Sequence, residues 1–228
     1  MTVTRDVLLA WSGGKDSALA LRALRDSREY RVAALLTTVT SGYERVSMHG
    51  VRRTLVRQQA SAIGIPLEEV VIPPRAGNAE YEQAMAETLV RWRTASPGIT
   101  LVAFGDLFLA DIRAYREQQL ARIGMEGVFP LWLRDTRTLA QDFVRSGFRA
   151  VLVCVDTMQL DPSFAGRDFD EALLSALPAT VDPCGENGEF HTFVSAGPIF
   201  RQPVPYRRGV IVRREERFAY CDLVDGDG

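Results

Sequence analysis

Asp6–Ser17 reads DVLLAWSGGKDS, and this stretch decides the fold. Asp6–Trp11 is a short apolar run, the pattern of a strand covered on both faces. From Lys15 to Asp26, Ala18, Leu19, Leu21 and Leu24 recur at helical spacing. Between the two stands Ser12-Gly13-Gly14-Lys15-Asp16-Ser17. Two glycines let the backbone turn tightly and approach a ligand closely. The helix start adds free N–H groups and a positive dipole end, which together suit an anion. Ser12 and Ser17 supply hydroxyls, and Lys15 a compact charge. Asp16 is the odd member, because a carboxylate repels phosphates unless it faces a magnesium ion or caps the helix. A plain turn with a cap accounts for the glycines and one serine, but not for Lys, Asp and Ser together. The spacing is neither that of the Walker loop nor the G-x-G-x-x-G of dinucleotide folds.

Outward from this stretch, strand and helix patterns alternate: Arg31–Val39, Leu67–Ile72, Ile99–Phe104 and Val128–Leu133 read as strands. Gly50–Ile63, Ala79–Arg93 and Leu109–Ile123 read as the helices between them. Repeated β–α units with near-continuous apolar strands predict an α/β fold with a parallel sheet covered on both faces. The rhythm continues through a helix at Thr136–Arg145 and a strand at Ala150–Val155, then breaks. Asp161–Gly166 reads as loop, Phe169–Leu177 as a short helix, and Val181–His191 as a polar, glycine-containing stretch. Ile211–Arg214 and Phe218–Leu223 read as late strands, and Asp225–Gly228 as a frayed tail. The expected division is a nucleotide-binding domain over residues 1–132 and a smaller α+β domain over 133–228, closely packed.

Charge and composition bound the function. With 27 basic and 29 acidic residues, general nucleic-acid binding is disfavoured. The first 67 residues nevertheless carry a net +5, which suits an anionic ligand. No run approaches the roughly 18 apolar residues of a membrane span, and no cleavable leader is visible. Three cysteines, an odd number without a CxxC, point to a reducing cytoplasm. Of the basic residues 26 are arginine, and Lys15 is the only lysine. A coding bias towards arginine explains the excess; the surviving lysine marks a place where a planar guanidinium does not serve.

Three further segments carry chemistry-bearing residues. Gly105-Asp106 ends the fourth strand, and ligands of open α/β sheets bind outside such carboxyl ends. Arg113 and Arg116 share a helix face and could clamp a carboxylate or phosphate, or be solvated. His49 follows the second strand on the same edge as the loop, where a packed or capping role is the plain alternative. Asp182-Pro183-Cys184-Gly185-Glu186-Asn187-Gly188-Glu189-Phe190-His191-Thr192 crowds carboxylates, an amide and an imidazole together. Such a cluster can orient a cationic nucleophile or take its proton; a surface turn is the plain alternative.

Ser12–Ser17 after a first strand resembles the PP-loop of ATP pyrophosphatases. With Gly105-Asp106, the Arg113/Arg116 helix and Gly185–Thr192 in this order, nearly the whole chain resembles the diphthine–ammonia ligase family. The resemblance implies a HUP-like PP-loop domain and ATP-dependent amidation: a carboxylate is adenylated, pyrophosphate leaves, and ammonia displaces AMP. It implies ATP held by Ser12, Gly13, Gly14, Lys15, Asp16 and Ser17, with Leu36, Thr37, Thr38 and His49 beside the adenine. Magnesium would lie at Asp16. Lys15, Asp106, Glu186 and Glu189 would be catalytic. Arg113, Arg116, Gly185, Asn187 and His191 would meet the acceptor, a protein diphthine or a small carboxylate. A homodimer is compatible with all of this. Amidation of another carboxylate in a bacterium, a PP-loop tRNA-modifying enzyme and a nucleotide sensor without turnover stay open at this point.

Overall fold

The apolar run becomes β1 (Arg5–Ala10), and the glycine loop leads it into α1 (Lys15–Ser27) in the computed structural model, which describes residues 4–47 and 49–226. Then follow β2 (Tyr30–Thr40), β3 (Arg45–Val46), α2 (Arg53–Ile63), β4 (Leu67–Ile72) and α3 (Asn78–Ala95). β5 (Leu101–Ala103), α4 (Ala110–Arg122) and β6 (Glu126–Val128) complete the first unit. β1 pairs in parallel with β2 on one side and β5 on the other, while β4 extends the sheet beyond β2 and β6 beyond β5. β3 adds one short antiparallel pairing at the end of β2. The chain leaves β1 first towards β2 and later towards β5, so the order reverses beside β1. Ligands of open α/β sheets sit at such a switch point, outside the strand carboxyl ends.

Alternation along β1 divides the core. Leu8 faces a cluster with Leu36, Leu89, Val102 and Leu120, beneath α3 and α4. Val7 and Leu9 face α1 and α2, in a cluster that continues unbroken into the second unit. That unit holds α5 (Thr136–Arg145), β7 (Arg149–Asp156), α6 (Glu171–Ala176), β8 (Phe190–Ala196), β9 (Tyr206–Arg214) and β10 (Phe218–Asp225). Its four strands form an antiparallel sheet ordered β8-β7-β10-β9. The shared core explains the close packing of the two sheets without a linker.

Several elements differ from the sequence reading. The strand expected over Val128–Leu133 lies earlier, at Glu126–Val128: Pro130 has no N–H for a ladder, and the short β5 offers three partners. β3 and β8 were not foreseen. β8 hides because its apolar residues begin inside the polar, glycine-rich segment. β9 begins at Tyr206 rather than Ile211, its arginines being tolerated on an exposed edge. Within the expected loop Asp161–Gly166, Pro162–Phe164 forms a 3-10 turn. Asp225 is not frayed; it ends β10 and accepts hydrogen bonds from Thr54 and Gln58 of α2. Met48, Asp227 and Gly228 lie outside the described residues. Among the described residues no helix is long and apolar enough to cross a membrane.

Candidate active site

The loop after β1 turns at Gly13, whose φ of 81° suits a residue without a side chain. Lys15 opens α1 and is only 2% exposed. Its Nζ donates to both oxygens of Asp16, at 2.7 and 2.8 Å. Burial by itself would lower its pKa. The adjoining Asp16 carboxylate, with Glu186 nearby, carries it above the ordinary lysine value instead. Lys15 is therefore a buried, fixed positive charge. The Phe190 ring lies 5.8 Å from Nζ and narrows the space around it. Gly105, at the end of β5, approaches the first turn of α1 so closely that a Cβ there would lie 2.8 Å from the Asp16 carbonyl. The structure thus brings together the loop and the Gly105-Asp106 pair at the switch point.

The segment Asp182–His191 folds back over the same edge. Glu186 Oε1 accepts the N–H of Leu107 at 2.9 Å, which joins the second unit to the strand-end loop of the first. Burial pushes the Glu186 pKa up to about 7. Glu189 behaves differently. It is buried and accepts N–H groups from Asp182, Asn187 and the Asn187 side chain at 2.8, 2.9 and 3.1 Å. It closes its own turn, with Gly185 and Asn187 in the backbone it holds. Cys184 Sγ donates to the Thr136 carbonyl at 3.3 Å, and burial pushes the thiol up to about 12, so it is no thiolate nucleophile. His49 and His191 come from the two units and meet with ring centroids 4.4 Å apart. Burial holds His191 down to about 4 and His49 well below the ordinary imidazole value, so both are neutral.

The arginines are largely committed. Arg116 grips Asp106 with Nε and Nη2 at 2.6 and 3.2 Å, and its guanidinium lies over Phe104. Arg113 pairs with Glu117 and lies over Phe129 and Trp132. Neither is a free clamp; Arg116 orients the Asp106 carboxylate. Leu36, Thr37 and Thr38 sit in the ladder between β2 and β4, and Leu36 also accepts the Trp11 N–H at 2.7 Å.

These residues fit a nucleotide with magnesium. Among the described residues the Thr37 hydroxyl and His49 Nδ1 are buried without partners, as polar atoms awaiting a ligand are. Asp16 is one carboxylate, about a third exposed, beside the glycine turn at the start of α1. Magnesium needs no more from a protein when phosphates and water supply its other ligands.

Two residues escaped the sequence reading. Gln59 of α2 donates to the Gly13 carbonyl, and Thr192 of β8 accepts the Lys15 N–H. Thr192 stands at the end of a segment already singled out. Gln59 carried one faint signal, a polar side chain between apolar positions of the helix.

Comparison with known proteins agrees with this layout. Residues 5–126 match the model of the diphthamide synthase N-terminal domain, and residues 135–219 that of its C-terminal domain. The chain belongs to the diphthamide synthase family. Within that family it is 24% identical over 209 residues to the diphthine–ammonia ligase of Schizosaccharomyces pombe, covering 85% of this chain and 34% of that protein. It is 30% identical over 102 residues to the diphthine–ammonia ligase of Danio rerio, covering 42% and 40%. The chain thus spans well under two thirds of the length of either relative. Among solved structures it is similar to the U34-tRNA thiolase NcsA of Methanococcus maripaludis, at 14% identity and a TM-score of 0.39, covering 61% of this chain and 58% of that one.

Proposed function

We propose that the chain is an ATP-dependent amide-forming ligase. It adenylates a carboxylate with release of pyrophosphate, and ammonia then displaces AMP. The observation that carries the reading is the meeting of the two motifs: the buried Lys15 charge and Glu186 share one strand-end edge, although 171 positions separate them. Residues 1–132 form the ATP-binding domain and 133–228 complete the acceptor and ammonia site.

Lys15 and the N–H groups of the loop hold the phosphates, with Ser12 and Ser17 beside them. They offset the charge that gathers on departing pyrophosphate, the main electrostatic task in such a transfer. Asp16 would hold the magnesium ion, which adds positive charge at the phosphates when bound. Leu36–Thr38 and His49 border the adenine end. Asp106, oriented by Arg116, faces the reacting edge. Glu186, raised to about 7, suits the acceptance of the proton that attacking ammonia gives up. Glu189 serves by holding the turn that presents Glu186 and Asn187, and His191 lines the acceptor side. The names of the relatives favour diphthine as the acceptor.

Incubation with labelled ATP, magnesium, ammonium and candidate carboxylates tests the reading. Acceptor-dependent AMP and pyrophosphate support it; ADP and phosphate, or nucleotide retention without turnover on any acceptor, overturn it.

A further inference from the structure

The glycine loop is not shaped by the first unit alone. Gln59 has no exposed surface, and its amide is spent on three elements. Its Oε1 accepts the Trp11 indole N–H at 3.0 Å, and its Nε2 donates to the Gly13 carbonyl at 3.0 Å and to the Val194 carbonyl at 2.6 Å. Val194 N–H returns a bond to the same Gly13 carbonyl at 2.9 Å. Two residues later in the loop and two residues earlier in β8, the Lys15 N–H donates to Thr192 Oγ1 at 3.0 Å. The backbone of β8 therefore lies against the loop as a neighbouring strand would. Contact is so close that a Cβ at Gly13 would lie 2.7 Å from Gln59 Oε1, and one at Gly14 3.1 Å from the Thr192 carbonyl.

We propose that Gln59 and Thr192 are positioning residues of the phosphate loop, so that its ATP-binding shape exists only while β8 of the second unit is docked against it. The physical reason is the loop's own composition. Gly13 and Gly14 leave its turn with high conformational entropy and no side chains there to pack. Its carbonyl at Gly13 and its amide at Lys15 are pinned from outside instead. A buried amide with every partner in place is worth far more than an exposed one, because losing it strands several buried groups at once. ATP and the second unit thus bind to one shared element, and each favours the other by linkage.

This inference rests on the ATP reading above, and its test separates the two. Gln59→Met and Thr192→Val remove the hydrogen bonds with little change of volume. Leu173→Ala, in the buried core under α6, lowers overall stability at a residue that makes none of the loop's hydrogen bonds. For each full-length variant, hydrogen exchange of the Gly13–Ser17 amides is measured without nucleotide, and ATP–magnesium affinity by equilibrium binding. Gln59→Met and Thr192→Val are expected to speed exchange in the loop and weaken ATP by about tenfold or more. Leu173→Ala should lower the unfolding midpoint with both loop readouts near wild type. If Gln59→Met does not fold, Thr192→Val decides. Wild-type exchange and affinity in the folded variants would overturn the proposal, as would equal loosening of the loop by Leu173→Ala. If wild type binds no ATP, the proposed function fails and exchange alone decides this inference.

Discussion

The loop Ser12–Ser17 and the turn Asp182–His191 are both short, rich in glycine and dense in charge, yet they spend their polar groups in opposite ways. The loop is pinned from outside, by Gln59, Thr192 and Val194, and keeps the Lys15 ammonium hydrogen-bonded to Asp16. The turn is tied from within. Glu189 takes three N–H donors of its own segment, and Asp182 takes those of Cys184 and Glu186. Of its carboxylates, Glu186 is the one that reaches outward, to Leu107. A carboxylate with a full set of local donors is a fastener. One with a single donor and a raised pKa is available for chemistry.

The largest effect that would break this contrast is at Lys15. Lys15→Arg keeps the charge but places a broad fork beside Phe190 and Asp16, and acceptor-dependent AMP release should fall about 100-fold or more. Wild-type turnover in that variant would remove the loop from the ATP site.

Glu189→Ala comes next. It strands three donors of a part-buried turn and should cost about 1–3 kcal/mol of stability in urea unfolding. A loss of activity with unchanged stability would instead make Glu189 a reacting group.

Glu186 and His191 sharpen the comparison through pH. The Glu186 carboxyl titrates near 7 when folded against an ordinary 4.5, so the folded state holds the proton more tightly. Its contribution is full below the ordinary value and is lost as pH rises towards 7. Glu186→Gln should flatten that decline in unfolding free energy between pH 5 and 8. His191, held down to about 4, works in the other direction: stability falls as pH drops from 6.5 to 4. His191→Asn should remove part of that acid-side loss.

The smallest effect is at Arg113, whose partner Glu117 is four residues away on an exposed helix face. Arg113→Ala should change unfolding free energy by about 1 kcal/mol or less and leave ATP affinity alone. A large loss of ATP affinity would restore it as a phosphate clamp.

Much of the first sheet could be read from periodicity, because strands buried on both faces are almost wholly apolar and the helices between them are not. β8 could not, since its apolar alternation starts within a charged turn, and β3 is too short to carry a pattern. The candidate site was legible where chemistry needs rare residue types, at Lys15, Asp16 and the Gly185–His191 segment. It was illegible at Gln59, because a glutamine beside Gln58 on a helix gives no sign of which carbonyls it will meet.

By itself the sequence determined the α/β rhythm, the anion-binding turn and the second motif, since these depend on local sterics, periodicity and residue chemistry. Tertiary structure alone decided which charges are spent. It paired Arg116 with Asp106, closed Glu189 into its own turn, brought His49 against His191 and set β8 against the glycine loop. Those outcomes depend on distances between segments far apart in the chain, which local pattern does not encode.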